Sequence, residues 1–128
     1  MSNSEVKVSK RVLIVDDALF MRNMLRDIFE LAGWQVVADA ESGEQALEEY
    51  RTLRPDLVTM DIVMPGMGGI ETLKKLLAEE PSARVVVCSA LGQKNLIMEA
   101  LNAGARDFIV KPFKADQVLE VSERVVAE

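Results

Sequence analysis

The sequence predicts one α/β domain built on a five-stranded parallel sheet covered by helices on both faces, and three observations carry that prediction. Short apolar runs alternate five times with stretches whose apolar residues recur at helical spacing. The runs are mostly apolar throughout, as strands buried on both faces are. Helix-length segments separate them, which right-handed parallel crossovers need and hairpins do not. At 128 residues the chain is long enough for one substantial core.

Taken in order, residues 1–10 are polar and lack the apolar segment of a signal peptide. They are expected to form a disordered tail ahead of a domain covering residues 11–128. Arg11–Val15 is the first strand, closed by Asp16 and Asp17. The helix after it carries Met21, Met24, Leu25, Ile28 and Ala32 on one face, with Gly33 as a natural C-terminal cap. Gln35–Asp39 is a second, weaker strand. Ser42 and Gln45 have the spacing of a capping box for a helix to about Leu53, and Pro55 blocks its continuation.

The third strand lies in the apolar stretch Leu57–Pro65, which is interrupted by the Asp61 carboxylate and followed by a turn containing Gly66, Gly68 and Gly69. A third helix runs from about Gly69 to Glu79 and stops before Pro81. Arg84–Cys88 is the fourth strand, leading to Ser89. The fourth helix, roughly Lys94 to Ala103, is expected to bury Ile97, Ala100 and Leu101, with Gly104 as its cap. Asp107–Val110 is the fifth strand and runs into Lys111-Pro112. The last helix, about Ala115 to Ala127, carries Val118, Val121 and Val125 at helical spacing. The chain stops there, so no output domain is expected.

Strands of a parallel sheet all end on one edge, and open α/β sheets bind ligands there, where the strand order switches. That edge gathers Asp16, Asp17, Asp61, Ser89 and Lys111 from four segments remote in sequence. Taken singly, each residue is ordinary. An Asp or Ser at a strand end is usually a turn residue, an isolated Lys is a solvated charge, and Phe108 in the fifth strand is core packing. Only the shared edge sets the group apart. Crowded carboxylates repel one another and raise a pKa unless a cation relieves them. Mg²⁺ suits such a set, because it prefers octahedral oxygen ligands and keeps several waters. With the Lys111 ammonium and the Ser89 hydroxyl added, the edge could neutralise a phosphoryl group placed on Asp61. Asp61 is thus the candidate nucleophile, and Asp16 and Asp17 the candidate metal holders.

Composition excludes several other classes. Fifteen basic against twenty-one acidic residues leave a net charge of -6, which disfavours nucleic acid or an anionic membrane as the main partner. No apolar stretch is long enough to span a bilayer, so a cytoplasmic protein is expected, with a monomer as the default. The single Cys88 cannot form an internal disulfide and reads as a small buried hydrophobe. Histidine is absent, which removes a Ser-His-Asp triad, a His-ligated metal and any phosphohistidine made within the chain.

Val15-Asp16-Asp17, the run Asp61–Gly69 with its Met64-Pro65 and glycines, Ser89-Ala90, and Phe108–Phe113 with its Lys111-Pro112 together resemble the signature of two-component receiver domains. Among these the likeness is to stand-alone chemotaxis response regulators, and it covers about Lys10 to Val126. The resemblance implies a flavodoxin-like (βα)5 fold, doubly wound, with strand order 2-1-3-4-5. It implies that Asp61 takes a phosphoryl group from the phosphohistidine of a histidine kinase. It also implies Mg²⁺ bound directly by Asp17, Asp61 and the Val63 backbone carbonyl, with Asp16 acting through water. Lys111 would pair with the phosphate, and the Lys111–Pro112 peptide would be cis. Ser89 and Phe108 would be the switch residues, reshaping a face of helix 4, strand 5 and helix 5 for a protein target such as a motor switch. A phosphatase is a further expected partner. The chain would be a signalling switch, catalysing only its own phosphorylation and dephosphorylation.

Phe108 departs from the best-known version of the pattern, which has Tyr there. Val63 and Leu91, two residues after Asp61 and Ser89, are apolar, so neither side chain can orient an attacking water and slow autodephosphorylation is expected. A phosphorelay intermediate is the alternative within the same class. A metal-dependent phosphohydrolase would need a carboxylate two residues past a nucleophilic Asp on the first strand, but Asp17 is followed by Ala18 and Leu19. A flavin or nucleotide module would need a Gly- or Ser/Thr-rich phosphate cradle where the chain has Asp16-Asp17-Ala18.

Overall fold

The structure, a computed structural model, describes residues 10–128, so the tail expected at the N-terminus lies outside the described residues but for Lys10. Five strands, β1 (Arg11–Val15), β2 (Gln35–Ala40), β3 (Leu57–Asp61), β4 (Val85–Ser89) and β5 (Asp107–Val110), form one sheet. Its order is β2-β1-β3-β4-β5 and every neighbouring pair is parallel. That is the doubly wound flavodoxin-like arrangement expected from the sequence. The crossovers are α1 (Leu19–Leu31), α2 (Gly43–Leu53), α3 (Gly69–Glu79) and α4 (Lys94–Ala103), and α5 (Ala115–Val126) ends the fold.

Side chains alternate across each strand and feed two apolar layers. Leu13 and Val15 of β1 and Val85 and Val87 of β4 join residues of α2, α3 and α4 in one layer. Val12, Ile14, Val86 and Cys88 point the other way and join Leu25 and Phe29 of α1 and Val118, Val121 and Val125 of α5. β1, β3 and β4 are almost fully buried. β2 is an edge strand, mostly half-buried, with a register irregularity opposite Val12 and Leu13.

Local chemistry sets the helix ends. Gly33 follows α1 at φ +88°, a conformation a side chain would disfavour. The Ser42 hydroxyl accepts from Gln45 N at 3.2 Å, while the Gln45 side chain reaches back to Glu41 N rather than to Ser42 N. The capping box is therefore displaced by one residue in its return bond.

Some details differ from the sequence reading. β4 is shifted by one residue, running Val85–Ser89, and β2 reaches Ala40. In α1 the fully buried residues are Leu25 and Phe29, while Met21, Met24 and Ile28 sit at its half-buried flanks. Phe29 packs on Trp34 with ring centroids 5.0 Å apart, and the pair anchors α1 to the sheet. In α4 only Ala100 is fully buried. Its small side chain lets the helix approach closely, leaving Ile97 and Leu101 half-buried beside it.

Candidate functional site

β1 and β3 are neighbours at the sheet centre, but α1 lies in one layer and α3 in the other. The chain therefore leaves the two strand ends in opposite directions and opens a crevice between them. Asp16 follows the last residue of β1 and Asp61 is the last residue of β3. One carboxylate oxygen from each of Asp16, Asp17 and Asp61 lies within 4.8 Å of the others. Asp16 and Asp61 are buried, at 1% and 6% exposure, and Asp17 faces solvent.

Lys111, just beyond β5, reaches into this group. Its Nζ lies 3.0 Å from Asp16 Oδ2 and 3.4 Å from Asp61 Oδ1. Burial alone works against its ammonium, but the two carboxylates outweigh that and hold its pKa above the usual lysine value. One cation does not balance three carboxylates. Burial first, then the neighbouring Asp16 charge, push the Asp61 carboxyl up to about 6 despite Lys111. The group is short of positive charge and rich in hard oxygen donors, so it fits a divalent cation such as Mg²⁺.

Two tight connections fix the acidic residues. Asp16 N donates to Ala40 O at 3.0 Å, and Asp16 Oδ1 accepts from Ala18 N at 2.9 Å. Arg22 Nη1 donates to the Asp16 carbonyl at 2.8 Å, and Arg22 Nε donates to Asp39 at 2.8 Å. At β3, Gly69 N donates to the Ile62 carbonyl at 2.9 Å. A Cβ built on Gly69 would stand 2.0 Å from the Asp61 carbonyl oxygen, so α3 can start this close to Asp61 only without a side chain. From the sequence, the glycine pair reads as turn punctuation and Arg22 is not singled out. Two adjacent glycines opening a helix was the available signal for close approach. Nothing in the sequence distinguished Arg22.

Ser89 is fully buried at the end of β4, and its hydroxyl donates to the Ala90 carbonyl at 3.1 Å. Lys111 N donates to the Ser89 carbonyl at 2.8 Å, tying the two strand ends together. The loop beyond Ser89 is held by Gln93, whose side-chain oxygen accepts from Ala90 N at 2.8 Å. The Lys111–Pro112 peptide is cis. Val63 and Leu91 are exposed. Phe108 is half-buried against the layer of α2, α3 and α4. Cys88, beneath the site, is fully enclosed, and burial raises its thiol pKa well above the ordinary value. It is packing and not a nucleophile.

Comparison with known proteins gives this geometry a family. Residues 12–123 match the response regulator receiver domain. The chain belongs to that family. This receiver domain is 52% identical to the chemotaxis protein CheY of Thermotoga maritima, over 92% of the chain and 98% of that protein. It is also 52% identical to CheY of Bacillus subtilis, over 93% and 99% of the two chains. A solved CheX–CheY–BeF3–Mg complex from Borrelia burgdorferi contains a chain matching it with TM-score 0.88 and 38% identity, covering 93% and 90%. The receiver domain is thus close to CheY and of chemotaxis response-regulator type, within two-component signalling. No helix among the described residues is long and apolar enough to cross a membrane.

Proposed function

We propose that this receiver domain is a phosphorylation switch of the chemotaxis type. In this reading Asp61 accepts a phosphoryl group from the phosphohistidine of a histidine kinase. The observation that carries it is the meeting of three carboxylates and Lys111 at the β1/β3 edge, with the Asp61 carboxylate short of counter-charge. At neutral pH most Asp61 is ionised and able to attack, since its carboxyl titrates at about 6. Asp61 Oδ forms the new bond to phosphorus, the bond from phosphorus to the donor nitrogen breaks, and that electron pair stays on the imidazole. Lys111, within 3.4 Å of Asp61 already, pairs with the transferred group. Mg²⁺ held by Asp17, Asp61 and the Val63 carbonyl, with Asp16 through water, would neutralise the charge gathered there.

The switch follows from what Ser89 and Phe108 do now. Ser89 holds a backbone carbonyl next to itself and would trade it for a phosphoryl oxygen, drawing the 90–93 loop inward. Phe108, half-buried on the neighbouring strand opposite Val87, would turn into the space this leaves. The face of α4, β5 and α5 would then present a new shape to a protein target, a two-state equilibrium biased by one modification. Such a protein would act in the cytoplasm, with a kinase, a motor-type target and a phosphatase as partners.

Incubation with acetyl phosphate and Mg²⁺ tests the reaction, with intact mass as the readout. Wild type should gain one phosphoryl group, and neither Asp61→Ala nor wild type in EDTA should gain any. Equal labelling of wild type and Asp61→Ala would overturn the assignment.

A further inference from the structure

We propose that Arg22 is the positioning residue of the metal site, setting Asp16 and Asp17 from behind without touching the ion. The inference rests on the reading of the three carboxylates as a Mg²⁺ site. Arg22 lies in the first turn of α1, and its side chain is largely buried. Its guanidinium bridges two elements. Nη1 donates to the Asp16 carbonyl at 2.8 Å, and Nε donates to Asp39 of β2 at 2.8 Å. Arg26, one turn further along α1, lies 3.5 Å from the other Asp39 oxygen and steadies that carboxylate.

The consequence is that Asp16 has no freedom left. Its N–H, its carbonyl and both carboxylate oxygens each have a partner, at 3.0, 2.8, 2.9 and 3.0 Å. The peptide joining Asp16 to Asp17 carries the carbonyl that Arg22 holds, so Arg22 also fixes the direction in which Asp17 leaves the strand. Planar, two-point donation to a carbonyl and a carboxylate is something a guanidinium does and an ammonium does not. Partners of this kind, one step behind the ligands, commonly change metal affinity by about tenfold or more when removed.

Electrostatics and positioning predict opposite signs here. Deleting a positive charge near three carboxylates strengthens cation binding if charge is all that matters. Deleting the bond that orients Asp16 and Asp17 weakens it. The experiment is Mg²⁺ titration by calorimetry on wild type, Arg22→Met and Arg22→Lys, with unfolding midpoints measured in EDTA. Arg22→Met should bind Mg²⁺ about tenfold more weakly. Arg22→Lys, with the charge kept and the fork lost, should fall between the two. Unchanged or tighter binding by Arg22→Met overturns the proposal. If Arg22→Met does not fold, wild-type affinity in Arg22→Lys overturns it instead. Failure of wild type itself to bind Mg²⁺ would strike the reading of the metal site, a separable result.

Discussion

Replacing Asp61 by asparagine will make the metal-free protein more stable at neutral and alkaline pH, even though it deletes the proposed reactive group. Asp61 titrates at about 6 in the fold against an ordinary value of 3.8. Each pKa unit corresponds to about 1.36 kcal/mol, so ionising this carboxyl in the folded chain costs about 3 kcal/mol more than in the unfolded one. The direction follows from proton uptake. Between the two pKa values the native state holds the proton and the unfolded state does not, so stability falls as pH rises. The favourable contribution is complete below about pH 4 and lost as pH passes through about 6. Asparagine has the shape of the protonated acid and no charge to bury. Urea unfolding in EDTA should show Asp61→Asn ahead of wild type by about 3 kcal/mol at about pH 8, the gap closing toward about pH 4. Added Mg²⁺ should stabilise wild type by mass action and narrow the gap. A gap of zero at alkaline pH, or one that widens with acid, would refute the reasoning.

Two further changes separate the parts of the site. Gly69→Ala puts a methyl group against the Asp61 carbonyl, 2.0 Å away, and the neighbour it meets is backbone. A loss of about 1–3 kcal/mol in urea unfolding is expected, with weaker Mg²⁺ binding, and stability within about 0.5 kcal/mol of wild type would count against the close packing. Val63 stands exposed two residues past Asp61 and offers no polar group to a water. Val63→Asn should shorten the lifetime of the phosphorylated protein several-fold, followed by loss of label after the donor is removed, and a longer-lived variant would contradict the idea.

The sheet was legible because its evidence is periodic. Runs such as Val85–Cys88 are apolar throughout, as short strands covered on both faces are. Strand order was another matter: alternation fixes parallel pairing, while the order came from the motif resemblance. The site was legible for a topological reason, since strand ends of a parallel sheet share an edge whatever their order, and Asp16, Asp61 and Lys111 indeed meet there. Side-chain partners were not legible. The Ser89 hydroxyl turns to its own neighbour's carbonyl, a choice made by local rotamer and not by sequence spacing. The Met21, Met24, Leu25, Ile28 stripe satisfies the helical period without Phe29. The buried line runs instead through Leu25 and Phe29, toward Trp34.

The distribution of partners around the two buried carboxylates explains why this site can respond to ligands. Asp16 is held at every polar atom, whereas among the described residues the Asp61 carboxylate pairs only with Lys111, and shares it. The unmet demand for positive charge is therefore concentrated on the residue proposed to react. The energy spent in burying Asp61 is what a cation recovers on binding, and a site already neutral in the fold would offer no such difference. The same asymmetry holds at Ser89. Its present bond joins two neutral groups, worth about 1 kcal/mol net, while a bond to a charged acceptor is worth about 1.5–3 kcal/mol. In the proposed switch the hydroxyl moves because the phosphoryl oxygen is the stronger acceptor, and a ligand can shift a conformational equilibrium only by a difference of that kind.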